Sequence, residues 1–316
     1  MKKLLNSNFK FTLSALLLGI CFTANAQKLP NVQLTSVRAP SSIKMDGKAA
    51  EWDYQFQAYN NATNVFYTLS NDDNNLYLTV RATDQSAINK ILRGGITFTI
   101  NTSGKKNDKS GASITYPIFG TDRPRITYKN MPEIIPGNTV SVKRADSFMY
   151  ANNAMLDAKS KNIITKGIPG VDTIISVYNE DGIKAVEAFD NKMVYTCEFA
   201  VSLKHFGLSV DNPTKFAYNF KLNGINIDDI MKNIKITQGP NGEVTAVSVG
   251  DKPAGGPPVS GNVSFTVMSG ASTGAGPKMD LSTGGGESIK VIGGPAGVQS
   301  LTSPTDFWGE YTLAKK

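Results

Sequence analysis

Ile43-Lys44-Met45-Asp46-Gly47-Lys48-Ala49-Ala50-Glu51-Trp52 and Phe307-Trp308-Gly309-Glu310-Tyr311-Thr312-Leu313 hold the only two tryptophans of this 316-residue chain. Both stretches read as strand segments. They predict the first and last strands of one antiparallel β-sandwich, closed by residues far apart in sequence. Asp46-Gly47 supplies a tight turn, because glycine reaches positive φ without steric cost. Trp52 then falls where a large aromatic side chain closes one end of a core. Trp308, seated inside the terminal strand, also reads as core.

Between these ends the chain is dominated by period-two alternation, the pattern of half-buried strands. Val65, Tyr67 and Leu69 alternate with Phe66 and Thr68. Asn71-Asp72-Asp73-Asn74-Asn75 follows as a turn, since Asn and Asp bond their own backbone and tolerate left-handed conformations. Leu76, Leu78, Val80 and Ala82 then share one strand face, with Tyr77, Thr79, Arg81 and Thr83 on the other. Ile96, Phe98 and Ile100 make a third run. Met193 to Val201 and Phe216 to Leu222 make two more, and shorter candidates lie at 113–118, 173–178 and 183–189. Many short strands with turns between them predict an all-β sandwich rather than alternating β/α units.

Two segments break this rhythm. Residues 102–170 open with the basic turn Ser103-Gly104-Lys105-Lys106-Asn107-Asp108-Lys109 and carry Pro117, Pro124, Pro132 and Pro136. They read as a mixed insertion folded against the sandwich, with one short helix over Ser147–Lys161. Residues 238–300 are rich in Gly, Pro and Ser and poor in bulky apolar residues. Such a composition does not offset its ordering entropy, so a long flexible loop is expected, with one strand at Val263–Val267.

The N-terminus reads as a cleavable export signal over residues 1–26. Lys2 and Lys3 precede the apolar run Phe11–Phe22, and Ala24-Asn25-Ala26 offers small residues at the cleavage positions. The run is too short to span a membrane, and Ile20 before Cys21 is too bulky for lipoprotein processing. The mature chain, 27–316, then forms one domain that is secreted, periplasmic or attached to the cell envelope. It keeps 30 basic and 26 acidic residues, a net +4 with no long basic run, which argues against nucleic acid as a partner. Cys197 is its one remaining cysteine, so no intramolecular disulfide is available and the core must hold the fold.

The order of these pieces resembles the family 9 carbohydrate-binding modules, within the wider DOMON-like group of β-sandwiches. The matching elements are Ile43-x-Met45-Asp46-Gly47-(x)3-Glu51-Trp52 and Asn74-Asn75-Leu76-Tyr77-Leu78-x-Val80-x-Ala82-x-Asp84. Three more follow in the family's order: Tyr195-x-Cys197-Glu198-Phe199-Ala200-Val201, Phe216-x-Tyr218-Asn219-Phe220, and Phe307-Trp308-Gly309-x-Tyr311-Thr312-Leu313. The resemblance implies a non-catalytic module that binds glycan or another envelope component. In sugar-binding members two aromatic rings clamp the sugar. The corresponding segments here are Gln85–Gly95 and Gln299–Asp306. They offer Ile88, Ile91, Leu92, Leu301 and Thr302, and no ring.

Other chemistry has little to stand on. His205 is the only histidine and sits in a turn after a strand, without a nucleophile motif; nothing in the spacing pairs it with a methionine as a haem ligand. One His and one mature Cys disfavour zinc. No pair of carboxylates is singled out for glycoside cleavage. Structural calcium is the one metal the pattern allows, with Asp72, Asp73 and Asn74 as first candidates, Asp84 next, and a hydrated turn as the alternative. For a ligand surface the candidates are Tyr77 and Arg81 on one strand face, and Lys105, Lys106 and Tyr116 in the insertion. Aromatic rings beside cations suit sugar faces or acidic polysaccharide, and equally plain packing between insertion and sandwich. A sandwich that has lost its sugar site and serves protein interaction is the alternative function.

Overall fold

The computed structural model describes residues 28–108, 110–119, 123–224 and 303–316, together with the backbone of five strands between 234 and 291. The expected export signal lies outside these residues. The expected Gly/Pro-rich loop lies outside them too, apart from those strands.

Two antiparallel sheets face each other. One runs β1 (Ala58–Asn60), β2 (Val65–Asn71), β3 (Asn75–Ala82), β9 (Tyr195–Ser202), β8 (Ile183–Phe189). The other runs β16 (Thr305–Tyr311), β10 (Phe216–Leu222), β4 (Ile96–Asn101), β5 (Ala112–Tyr116), β6 (Asn162–Lys166), β7 (Ile174–Ser176). Helix α1 (Gln85–Gly94) joins β3 to β4, and α2 (Thr139–Lys159) lies between β5 and β6. Strands β11 (Ile234–Gln238), β12 (Val244–Ser248) and β13 (Phe265–Thr266) pair in a small sheet, and β14 (Met279–Thr283) pairs with β15 (Glu287–Val291).

The alternation predicted the core correctly. Tyr67, Leu78, Val80, Tyr195, Cys197 and Phe199 from the first sheet meet Phe98, Ile114, Tyr218 and Phe220 from the second, all buried. Rings interlock across the gap: Tyr67 lies 6.4 Å from Phe220 and 5.0 Å from Phe307, and Phe98 lies 6.5 Å from Phe199. Such pairs add directional energy to the burial of their area. The Tyr67 and Tyr218 hydroxyls satisfy each other at 3.0 Å, so neither is stranded in the core. The predicted β2–β3 turn is present: the Asp72 carboxylate accepts the Asn74 and Asn75 amides, both at 2.7 Å.

The two opening stretches meet different fates. Phe307–Leu313 overlaps the last strand, β16, through Tyr311, with Gly309 opposite Tyr218. A Cβ at Gly309 would overlap the Tyr218 ring, so glycine is required there by close approach. Phe307 and Tyr311 face the core, but Trp308 points outward and is partly exposed, contrary to its reading as core.

Ile43–Trp52 is not a strand. It crosses the outer face of the first sheet as a turn and a short 3-10 segment, Ala50–Trp52. Gly47, at φ +73°, packs so closely on Ala188 that a side chain would collide with backbone. The Asp46 and Gly47 amides donate to Glu198 at 3.1 and 2.9 Å. Tyr54 then covers Arg81, and Phe56 meets Phe66. Asp46-Gly47 therefore anchors a cover, and Trp52, only partly buried, lies in that cover rather than in the inter-sheet core.

The break at 102–170 is smaller than the sequence indicates. β5 and β6 are full members of the second sheet, so the chain leaves the sheet only between Tyr116 and Asn162. α2 is longer than the expected Ser147–Lys161. Asn138 caps it, accepting the Val140 and Ser141 amides. Its contact face, Ser141, Ala145, Asn152 and Leu156, is only half apolar. Asn153 ties it to β8 through a reciprocal pair of bonds with the Phe189 backbone, 2.9 and 2.7 Å.

Candidate functional site

The residues singled out from sequence scatter over the molecule. Tyr77 is buried and donates to Asp72 at 2.7 Å. Arg81 pairs with Asp190 at 3.0 Å and lies 4.6 Å from the Tyr54 ring centre. Lys106 pairs with Glu310 beside β16, and Lys105 is exposed next to it. The three aspartates do not converge. Asp72 is held by its hairpin, Asp73 pairs with Arg38 and Lys316, and Asp84 caps α1 through the Ala87 amide. Among the described residues no three His, Cys, Asp or Glu side chains come together as metal ligands. Hydrogen bonding holds Asp72 below the usual carboxylate range against the opposing effect of burial, and its two cations do the same for Asp73.

The segments that the resemblance marks as a sugar clamp do come together. Lys90 donates to the Ser303 carbonyl at 2.8 Å and reaches Thr305 at 3.4 Å. Yet Gln85–Gly95 is a helix and not an open loop. Ala87, Ile88, Ile91 and Leu92 are buried in the core, and Gln299–Leu301 with Thr302 lie outside the described residues. His205 is tied to the Asp181 carbonyl at 2.6 Å, and Cys197 is a buried free thiol whose pKa burial pushes up.

Of the predicted ligand residues, Tyr116 borders a cleft. The first sheet ends at β8 and the second at β6–β7, leaving one edge of the sandwich open. There a cavity of about 400 Å³ forms, within the size range of small-ligand sites. One wall is Lys184, Ala185 and Val186 of β8. The other is Asp157 and Ser160 at the end of α2, Lys161 before β6, and Val177 and Tyr178 after β7. Tyr116 lies at the base and Met45, from the cover segment, at one side.

Several side chains here are held in place. Lys161 donates to the Tyr178 hydroxyl at 3.1 Å and lies 5.4 Å from the ring centre. Lys184 donates to the Asn179 carbonyl at 2.7 Å. The Val177 amide bonds the Lys161 carbonyl at 2.9 Å, joining the two segments of that wall. Tyr178 is 74 % exposed, so its ring is open to solvent beside the Lys161 ammonium. Ser160 donates to the Leu156 carbonyl, closing the helix end.

Beneath the cleft Glu187 is buried on the core face of β8. One carboxylate oxygen accepts the Tyr195 hydroxyl, and the other has no protein partner. Burial raises its pKa to about 7, against the Tyr195 hydrogen bond that lowers it. Burial first, then the Glu187 charge, pushes Tyr116 and Tyr195 upward as well. Glu187 is only 2 % exposed and is not part of the cleft wall. Asp157 is the single carboxylate among the described lining residues, so no acid pair faces across the cavity.

A second, open groove of about 530 Å³ runs along α2, lined by Pro132, Val140, Lys143, Arg144, Ser147 and Phe148. No protein-family model matches this chain, and no curated protein matches it. Sequence reading missed Asp157, Ser160, Lys161, Tyr178 and Lys184. Each is unremarkable locally, and only the edge geometry collects them.

Proposed function

We propose that this chain is an exported, non-catalytic binding module that holds a glycan in the cleft at the open edge of its sandwich. The cleft's composition carries the reading: hydroxyl, ammonium and carboxylate groups around an exposed tyrosine ring. Sugars present hydroxyls at their edges and apolar C–H faces, and such a set can bond the first and stack on the second. The resemblance to family 9 carbohydrate-binding modules agrees with the class of ligand, while the binding place differs from that family's clamp. Export follows from the N-terminal pattern and supports an envelope or extracellular glycan.

Mature protein, residues 27–316, screened on a glycan array and titrated calorimetrically against the hits, tests this. Tyr178→Ala is expected to weaken binding at least tenfold with an unchanged melting temperature, since the ring is exposed. No retained glycan by a folded sample, or hits that Tyr178→Ala leaves untouched, would refute the reading.

A protein-interaction role is the second reading. It is favoured by Met131, Ile135, Val140 and Tyr150, which are exposed around the α2 groove.

A further inference from the structure

We infer that the glycan held in the cleft is an acidic one, bearing carboxylates of the uronate type, recognised by Lys161 and Lys184. This inference rests on the cleft being the glycan site.

Several cations of this protein are neutralised by acids. Arg38 pairs with Asp73, Arg81 with Asp190, Lys48 with Asp46, and Lys106 and Lys215 with Glu310. Lys90 is not paired with an acid among the described residues, donating instead to the Ser303 carbonyl, and neither are the two cleft lysines, Lys161 and Lys184. Each cleft lysine bonds a neutral partner, the Tyr178 hydroxyl and the Asn179 carbonyl respectively, and neither belongs to an ion pair among the described residues. A lysine ammonium has three donors, and the neutral partner occupies one.

Their placement converts this into recognition. Lys161 stands on the β6–β7 wall and Lys184 on the β8 wall, so the two side chains reach the cavity from different sheets. Both are pinned to the 178–179 turn, which fixes them at the mouth beside the exposed Tyr178 ring. Against these two positive groups the cleft wall holds one carboxylate, Asp157, leaving an excess of positive charge. A neutral sugar gains nothing from that excess. A uronate sugar offers a ring face for Tyr178, hydroxyls for Ser160 and Asp157, and a carboxylate for an ammonium group.

The test compares pairs of ligands that differ only in charge. Uronate oligosaccharides, such as galacturonate and mannuronate tetramers, are titrated into mature 27–316 beside their methyl esters. The acid form is expected to bind at least tenfold more tightly at low ionic strength, with the gap narrowing as salt is added. Lys161→Gln and Lys184→Gln should each shrink the gap several-fold, as read by calorimetry. Lys215→Gln, which pairs with Glu310 beside β16 at the far edge of the sheet, should leave it intact.

Equal binding of acid and ester, still dependent on Tyr178, would overturn the acidic specificity and leave glycan binding standing. An equal loss from Lys215→Gln would also overturn it, by reducing the preference to the protein's overall positive charge. Failure of both ligand forms, together with an empty glycan array, would overturn the glycan site and this inference with it.

Discussion

Glu187 and Glu198 occupy adjacent strands and opposite faces of the first sheet, and both are buried. Glu187 faces the core. Glu198 lies under the cover segment, where burial raises its pKa to about 8 against the Asp46 and Gly47 amides that lower it. Glu187 is raised to about 7. Folding therefore favours the protonated form of each. Their contribution to stability is complete below the unfolded value near 4.5 and declines as pH rises toward about 8. We expect the melting temperature to fall between pH 5 and pH 8.5, by a stability loss on the order of a few kcal/mol. Glu187→Gln and Glu198→Gln should each flatten that slope, and the double variant most; a melting temperature that rises over this range would contradict the account. The strand pattern Ile183, Ala185, Glu187, Phe189 already places one carboxyl on an apolar face. That signal is legible in sequence. The burial of Glu198 is not, because its cover comes from 151 and 152 residues away.

At the scale of elements, α1 shows a local signal overshadowed by a looser likeness. Asp84 as a cap, apolar residues at 87, 88, 91 and 92, and Gly95 after the last turn together spell a short helix. The resemblance instead marks the same residues as a binding loop. Asp84→Ala should cost about 1 kcal/mol by removing the bond to the Ala87 amide, while Asp84→Asn should retain most of it. Denaturant unfolding with and without added calcium distinguishes capping from metal binding: a capping loss is the same in both, whereas a loss appearing only with calcium would make Asp84 a ligand. α2 is harder to read. Its contacts use Ser141, Asn152 and Asn153 beside Ala145 and Leu156, so no apolar stripe announces it. Asn138 as cap is the one clear mark of its start.

For the whole molecule, closure depends on the two ends meeting. Residues 37–39 run parallel to the end of β2, and Tyr311 of the last strand reaches them. Its hydroxyl donates to the Val37 carbonyl at 2.9 Å, accepts the Val37 amide at 3.1 Å and contacts Asn71 at 3.1 Å. Asn71 also accepts the Ala314 amide at 2.8 Å. Tyr311→Phe keeps the ring on Phe216 and removes these bonds, which should cost about 1–3 kcal/mol. Hydrogen exchange is expected to quicken at residues 37–39 and 314 while the β10–β16 pairing stays protected. Unchanged exchange at 37–39 would show that the two ends are held by other contacts.

The sequence by itself determined the all-β class, most strand positions, the faces that make the core and the Asp72 turn. Those follow from local rules: side chains alternate along a strand, and Asn and Asp bond their own backbone. Only the tertiary structure decided which strands share a sheet, that β5 and β6 extend the second one, and that Ile43–Trp52 covers the sandwich instead of joining it. It also decided where the cleft lies. Met45, Tyr116, Asp157, Ser160, Lys161, Tyr178 and Lys184 meet there because two sheets end side by side, and the pairing that sets their edges joins residues distant in the chain.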